Sequence, residues 1–280
     1  MHKNGLKETI RDPLFITGFF LLGFVVVTLA VGRCLTPFSP DDISFTPLSP
    51  PSWEHLLGIN DGGQDIFSEL VFAVGNSLGF GLLCGGTTLF IAIFAGLFAA
   101  WYQGIVDQVI MRVCDILLSI PSIMILIFIA ALFRPPPFVL ALVLSFMSWP
   151  TLARSFRAQG LTLRKSLHVQ AASQMGAGAF YIIKNHLVPE LFPLYLIGFA
   201  GKMRMAMFME ATLAFLGLFD PSRKSLGMMI SYALKYYYMD IWWNWFAPPV
   251  AFLSIMIMSV TFMAISMEKA FDPRIQNTMG

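Results

Sequence analysis

Three charged side chains lie deep within a mostly apolar run. Lys202, Arg204 and Glu210 fall between Leu187 and Leu218, and a charge at bilayer depth costs about 2.5–3.5 kcal/mol on insertion scales. Such groups must face protein, water or one another. Lys202 and Glu210 are about 80° apart around a helix, whereas Arg204 points elsewhere. That spacing predicts one surface, carrying Lys202 and Glu210, that lines a cavity while Arg204 meets a neighbour. The chemistry on offer is recognition. Lys202 or Arg204 would supply positive potential for an anionic ligand. The plainer alternative makes Glu210 an interhelical packing partner and leaves the two cations to snorkel or form salt bridges. Met203, Met205, Met207 and Met209 alternate through the same run. A period of two scatters them around a helix, so they read as adaptable packing and not as ligands of a soft metal.

Bond-making chemistry finds no support. His2, His55, His168 and His186 are scattered, and neither an H-E-x-x-H nor a C-x-x-C spacing occurs, so no zinc site is built by local spacing. Gly201-Lys202 is followed by Met203 where a phosphate loop needs Ser or Thr, and Leu196 stands where its first Gly belongs. The chain is therefore expected to bind no ATP and to need no cofactor of its own. Any energy for transport would come from another polypeptide or an ion gradient.

The elements that must position these charges follow from composition. Of the 280 residues, 57% are hydrophobic and only 12% charged, and the mean hydropathy is +0.72, far from the balance of a soluble domain. A helical span needs roughly 17–25 mostly apolar residues. Six segments are long enough: Leu14 to Gly32, Leu78 to Trp101, Val109 to Phe133, Phe138 to Ala158, Leu187 to Leu218 and Phe246 to Met267. The fold class expected is an all-α integral membrane protein with six transmembrane helices. The first run is read as a retained anchor, because Arg33-Cys34-Leu35-Thr36-Pro37 offers no clear cleavage site.

With the N-terminus inside, Lys3, Lys7, Arg11, Arg112, Arg154, Arg157, Arg164, Lys165, Lys184, Lys269 and Arg274 are cytoplasmic. Arg33, Arg134, Arg223, Lys224 and Lys235 then lie outside. That bias puts both termini in the cytoplasm. The expected organisation is a cytoplasmic tail over 1–13, an anchor over 14–32, an extracytoplasmic loop over 33–77, a core over 78–270 and a cytoplasmic tail over 271–280. The net charge of +2 thus reflects topology and calls for no nucleic acid. Cys34, Cys84 and Cys114 are odd in number, and two lie inside predicted spans, so they read as packing residues.

The cytoplasmic loop between the fourth and fifth spans, about 159–186, holds Gln170-Ala171-Ala172-Ser173-Gln174-Met175-Gly176. Small side chains at Ala171, Ala172 and Gly176 would let a partner surface approach a short helix closely. Read alone, the stretch is equally an amphipathic connector with a turn at Gly176-Ala177-Gly178.

This stretch resembles the E-A-A-x-x-x-G loop of permease subunits in ABC importers, and the likeness extends over about four-fifths of the chain. Leu57-Gly58 with Asp61, Gly63, Asp65 and Ser68 resembles that family's L-G-T-D-x-x-G-R-D-x-x-S-R stretch. Gly104, Val106, Asp107, Met111, Arg112 and Asp115, then Pro121-Ser122, are similar to its third-span pattern. Glu210-Ala211-Thr212-Leu213-Ala214-Phe215-Leu216-Gly217-Leu218 resembles E-A-S-L-S-F-L-G-L, and Asp272-Pro273-Arg274 its D-P-R. The type is the shorter permease of dipeptide, oligopeptide, nickel and metallophore importers. Departures are Gln64, Glu69 and Asn76 where Arg is common, Ile59-Asn60, and Gln170 in place of Glu. A neutral amide can hydrogen-bond a partner but cannot form an ion pair.

The resemblance implies a membrane subunit in a bacterial or archaeal inner membrane. Its partners would be a second permease subunit, a different chain, two ATPase subunits carrying ATP and Mg, and an extracytoplasmic solute-binding protein. The helix around Leu167 to Gly176, with Leu167, Gln170, Ala171, Ala172 and Gly176, is then the expected coupling helix. Tyr232, Tyr236, Tyr237, Tyr238, Trp242, Trp243 and Trp245 cluster in the last extracytoplasmic loop, about 219–245. There they would anchor an interfacial helix, and the binding protein would dock on the same side. Two rival classes stand beside this reading. An ion-coupled secondary transporter calls for internal repeats and paired acids, and no convincing repeat is seen. An intramembrane enzyme calls for a nucleophile, base or metal cluster that the spans lack.

Overall fold

A computed structural model describes residues 9–36, 38–220 and 223–271. Lys3, Lys7 and the Asp272-Pro273-Arg274 motif lie outside them. The described residues form helices and no strand; an isolated bridge pairs Ile59 with Asp65.

Each long helix begins where the sequence supplies a start signal. Helix α1, Pro13–Leu35, is capped by the Asp12 carboxylate, which accepts from the Leu14 amide, and has Pro at its first position. Helix α2, Ile66–Tyr102, is capped by Asp65, whose Oδ2 accepts from the Ser68 amide at 2.7 Å. Helices α3, Gly104–Leu118, and α4, Ser122–Phe133, follow. After them come α5, Pro137–Arg164, and the short α6, Leu167–Gln174. A π-helical turn at Ile183–Leu187 leads into α7, Phe192–Phe215. Helices α8, Leu226–Ala233, and α9, Trp242–Phe271, complete the order.

Four described stretches are long and apolar enough to cross a membrane: Pro13–Gly32, Ile66–Tyr102, Pro137–Arg164 and Trp242–Ala270. Helices α3 and α4 together make a fifth, bent by 67°. The expected continuous span from Val109 to Phe133 is thus corrected to a broken one. Pro121 lacks an amide hydrogen and disfavours helical backbone at the residue before it, so the helix stops at Leu118 and restarts at Ser122. Helix α2 begins at Ile66, not near Leu78, because Ile66, Leu70, Val71, Ala73 and Val74 are all buried. Helix α7 is long enough at 24 residues, but its three charges set it apart from the apolar spans.

Small residues bring the long helices together, as membrane helices require. A Cβ at Gly96 on α2 would meet the Ala153 carbonyl oxygen on α5 at 2.6 Å, and one at Gly81 would meet Met207 of α7 at 2.7 Å. Met203 and Met207 are buried and fill the space that Gly81 leaves. The methionine run is packing, as its period implied. Cys84 and Cys114 are buried packing residues as well.

The bundle has two distinct ends. At one lie the 38–65 loop, the start of α2, helix α8 and the aromatic cluster. There the Tyr236 hydroxyl donates to Asp61 Oδ2 at 3.0 Å, which raises the phenol's pKa above its usual range, and its ring stacks on the buried Trp245. Tyr237, Tyr238 and Trp243 remain exposed. At the opposite end lie the α2–α3 junction, the end of α5 and α6.

Candidate functional site

Helix α6 presents one face to solvent and buries the other. Leu167, Gln170, Ala171 and Gln174, at spacings of three, four and seven, form the middle of an exposed face that His168 and Ser173 widen. Leu167 is 85% exposed, whereas Val169 is 1% exposed and packs against the cluster that includes Phe156, Ile182 and Leu187. Ala172 turns partly inward. The Gln170 side-chain amide donates to the Lys165 carbonyl at 3.1 Å.

Gly176 closes the helix for a conformational reason. Its φ is +87°, its amide donates to Ser173 O at 3.1 Å, and the Ala177 amide donates to Ala172 O at 3.1 Å. These paired bonds are a Schellman cap, in which the left-handed position favours glycine. A Cβ there would meet nothing within 4 Å. Gly176 therefore differs from Ala171, which lies on the exposed face.

One contact that sequence spacing did not reveal ties α6 to the bundle, and a second, at the end of α5, lies beside it. His168 Nε2 lies 2.7 Å from Glu190 Oε1, directly before α7. The Arg164 guanidinium sits over the Trp101 ring at 5.3 Å, beside a cavity of about 300 Å³ that Val169, Gln170, Ser173 and Gln174 also line. The His168–Glu190 contact and the π-helical turn, an irregular geometry often found at functional sites, both lie between α6 and α7.

The three charges of α7 do not share a surface. Glu210 is 1% exposed; its Oε2 accepts from Ser77 Oγ at 2.9 Å, and its Oε1 has no hydrogen-bond partner among the described residues. Lys202 is half-buried and donates to Thr151 Oγ1 on α5 at 2.6 Å. Arg204 is exposed and donates to Thr261 Oγ1 on α9 at 3.3 Å. The expected pairing of Lys202 and Glu210 on one cavity wall is corrected: α2 claims the carboxyl, and α5 the ammonium. Among the described residues no carboxylate oxygen lies within 4.0 Å of Lys202 or Arg204.

Arg204 stands about 18 Å from the start of a helix about 36 Å long, at its middle. Thr151 likewise sits halfway along α5. From there to the α6 end, α5 exposes Thr151, Arg154, Ser155, Gln159 and Thr162, whereas its first half exposes Phe138, Leu142 and Phe146. One helix thus changes from an apolar to a polar outer face halfway along. Arg154 pairs with Asp115 and Arg157 with Asp107, which fastens α3 to this stretch.

At the loop end, three departures from the resembled pattern converge on one residue. Lys224 Nζ donates to Gln64 Oε1 at 2.7 Å and lies 3.6 Å from Glu69 Oε1, and the Lys224 carbonyl accepts from Asn76 at 2.7 Å. Asn60 Nδ2 donates to Glu69 Oε2 at 3.0 Å. The carboxylate at 69 is thereby matched by a lysine far along the chain.

A bundle of long apolar helices, with cations at mid-length that no carboxylate answers among the described residues and a polar half-face leading to Lys202, is the framework of a multi-pass membrane transport subunit. Residues 92–277 match the family model described as the binding-protein-dependent transport system inner membrane component, and the chain belongs to that family. It is a permease subunit and not itself an enzyme.

A Brucella abortus protein provisionally named a peptide transport system permease protein is 29% identical over 272 residues, which are 96% of this chain and 91% of that one. The dipeptide transport system permease protein of Bacillus subtilis is 27% identical over 95% of this chain and 83% of its own length. The probable D,D-dipeptide transport system permease protein of Escherichia coli K12 is 30% identical over 86% and 82%. Among solved structures, a chain of the inward-facing MetNI methionine ABC transporter superposes with a TM-score of 0.56. It shares 16% identity and covers 73% of this chain and 97% of that chain. That likeness is one of fold.

Proposed function

We propose that the chain is a permease subunit of an ATP-driven importer of peptides. It crosses the inner membrane six times, with α3–α4 as a broken span and α7 as a charged one, and keeps both termini in the cytoplasm. A second permease subunit completes the path, and two ATPase subunits, which hold ATP and Mg, grip α6 and its counterpart. A solute-binding protein delivers cargo at the loop end, where Tyr237, Tyr238 and Trp243 are free.

The observation that carries this reading is the pair of uncompensated cations at mid-helix. An exposed arginine at the bilayer centre is untenable against lipid, so Arg204 requires a companion subunit or water at that depth. Positive side chains lining a pore favour anionic cargo and oppose a bare metal cation. Peptides carry a carboxylate, and the relatives named above are peptide and dipeptide permeases. None of those three names mentions nickel or a metallophore, the other cargoes the sequence resemblance allowed.

In operation, ATP-driven approach of the motors would push on the Leu167, Gln170, Ala171 and Gln174 face. The push would pass through His168–Glu190 into α7 and reorient the path around Lys202. The test is peptide-stimulated ATP hydrolysis by the reconstituted assembly, screened with short peptides and nickel chelates. Stimulation by peptides supports the reading; stimulation by nickel chelates alone refutes the peptide cargo.

A further inference from the structure

We infer that Lys202, held by Thr151, is the point in the path that binds the carboxylate of the travelling peptide. The inference rests on the function proposed above and assigns the site within it. Four observations converge on this lysine.

First, its ammonium is positioned but not neutralised. The Thr151 hydroxyl donates to the Ser148 carbonyl at 3.1 Å, so it offers Lys202 only a lone pair, accepted at 2.6 Å. An ammonium has three donors, and this contact uses one. Second, no carboxylate among the described residues answers its charge. Third, it lies at the head of the polar half-face of α5, where Thr151, Ser155, Gln159 and Thr162 follow at helical spacing towards the α6 end. The Ser155 and Thr162 hydroxyls donate to carbonyls of their own helix, so the stripe keeps water beside the anion, and the exposed Gln159 amide is the group free to donate to it as it leaves. Fourth, the arrangement is not shared by the other cation. Thr261 also donates to its own helix, at Ile257 O, and accepts from Arg204, but Arg204 shares its exposed face with Phe208 and Phe215. No polar stripe leads to it, which suits a contact between subunits better than a step in the path.

The site is tested in proteoliposomes that contain the whole transporter and its binding protein. ATP-driven uptake of trialanine is compared with uptake of its C-terminal amide, and the acid-to-amide ratio is the readout. The binding protein is the same in every arm, so its own preference cancels when variants are compared. A hydrogen bond to a charged group is worth enough that Lys202→Gln is expected to lower the ratio by about tenfold. Lys202→Arg should retain most of it. Thr151→Val, which removes only the clamp, should give an intermediate ratio and keeps the test decisive if Lys202→Gln assembles poorly.

A wild-type ratio in both Lys202→Gln and Thr151→Val, or in Thr151→Val when that is the only variant to assemble, overturns the assignment. Absence of uptake of either peptide by the wild-type assembly refutes the peptide reading and this site with it. Robust uptake of both peptides with an unchanged ratio refutes the site alone.

Discussion

Replacing Ala171 by Trp separates the folding of this subunit from its grip on a motor. Ala171 lies on the exposed face of α6 with Leu167, Gln170 and Gln174, so an indole there is expected to point outward into solvent. The cost to the subunit itself is a helix-propensity difference of under about 1 kcal/mol. At a packed contact with an ATPase subunit the same indole is an overpacking error of about 1–3 kcal/mol, or about 5- to 150-fold in an equilibrium constant. Gly176→Ala is the control with the opposite character. Its Cβ enters open space, but at φ +87° it carries about 1–2 kcal/mol of left-handed strain, which frays the end of α6 and leaves the exposed face unchanged. The assay titrates ATPase subunits onto detergent-solubilised permease pairs and follows uptake per ATP hydrolysed. Ala171→Trp is expected to keep the wild-type melting temperature and lose ATPase affinity; Gly176→Ala is expected to lose some stability and keep most of the affinity. Wild-type ATPase affinity and coupled uptake in Ala171→Trp would refute the assignment of this face.

Other perturbations follow from the packing. Lys224→Ala leaves the buried Glu69 carboxylate without its cation, at a cost of about 3–5 kcal/mol, seen as a lower melting temperature in detergent; Glu69→Gln in the same chain should restore much of it. Gly96→Val forces a side chain against the Ala153 carbonyl, 2.6 Å from the ideal Cβ, and should destabilise the α2–α5 contact by at least about 1–3 kcal/mol, read by thermal unfolding. Glu210→Ala strands the Ser77 hydroxyl and should cost about 1–3 kcal/mol, whereas Glu210→Gln, which still accepts from Ser77, should be milder in the same measurement.

Apolar runs revealed most of the bundle, because length and hydropathy alone decide whether a helix suits a bilayer. The first run, expected from Leu14 to Gly32, is helical from Pro13 to Leu35. Pro121 broke the third run, a local backbone rule that a hydropathy count does not see. The short helix of the coupling loop was visible in its small residues, but the division between Ala171 outside and Ala172 turned inward came only with the buried seat of Val169. The polar half-face of α5 is written at helical spacing and was legible in principle; the apolar residues interleaved with it masked it. Lys202 and Glu210 share a helix and a plausible angle, yet their partners come from α5 and α2, which no spacing within α7 can reveal. The Lys224 contacts lay beyond sequence reasoning altogether, since Asn76 and Gln64 are 148 and 160 positions away.

The central claim is that α6 receives the motor's force, and cross-linking within the assembled transporter tests it most directly. In a Cys34→Ser background, which removes the exposed native thiol, single cysteines are placed at Ala171 and at Tyr238, at opposite ends of the bundle. A short bifunctional thiol reagent should join position 171 to an ATPase subunit and leave position 238 unlinked to it. Linkage from 238 with none from 171 would contradict the account.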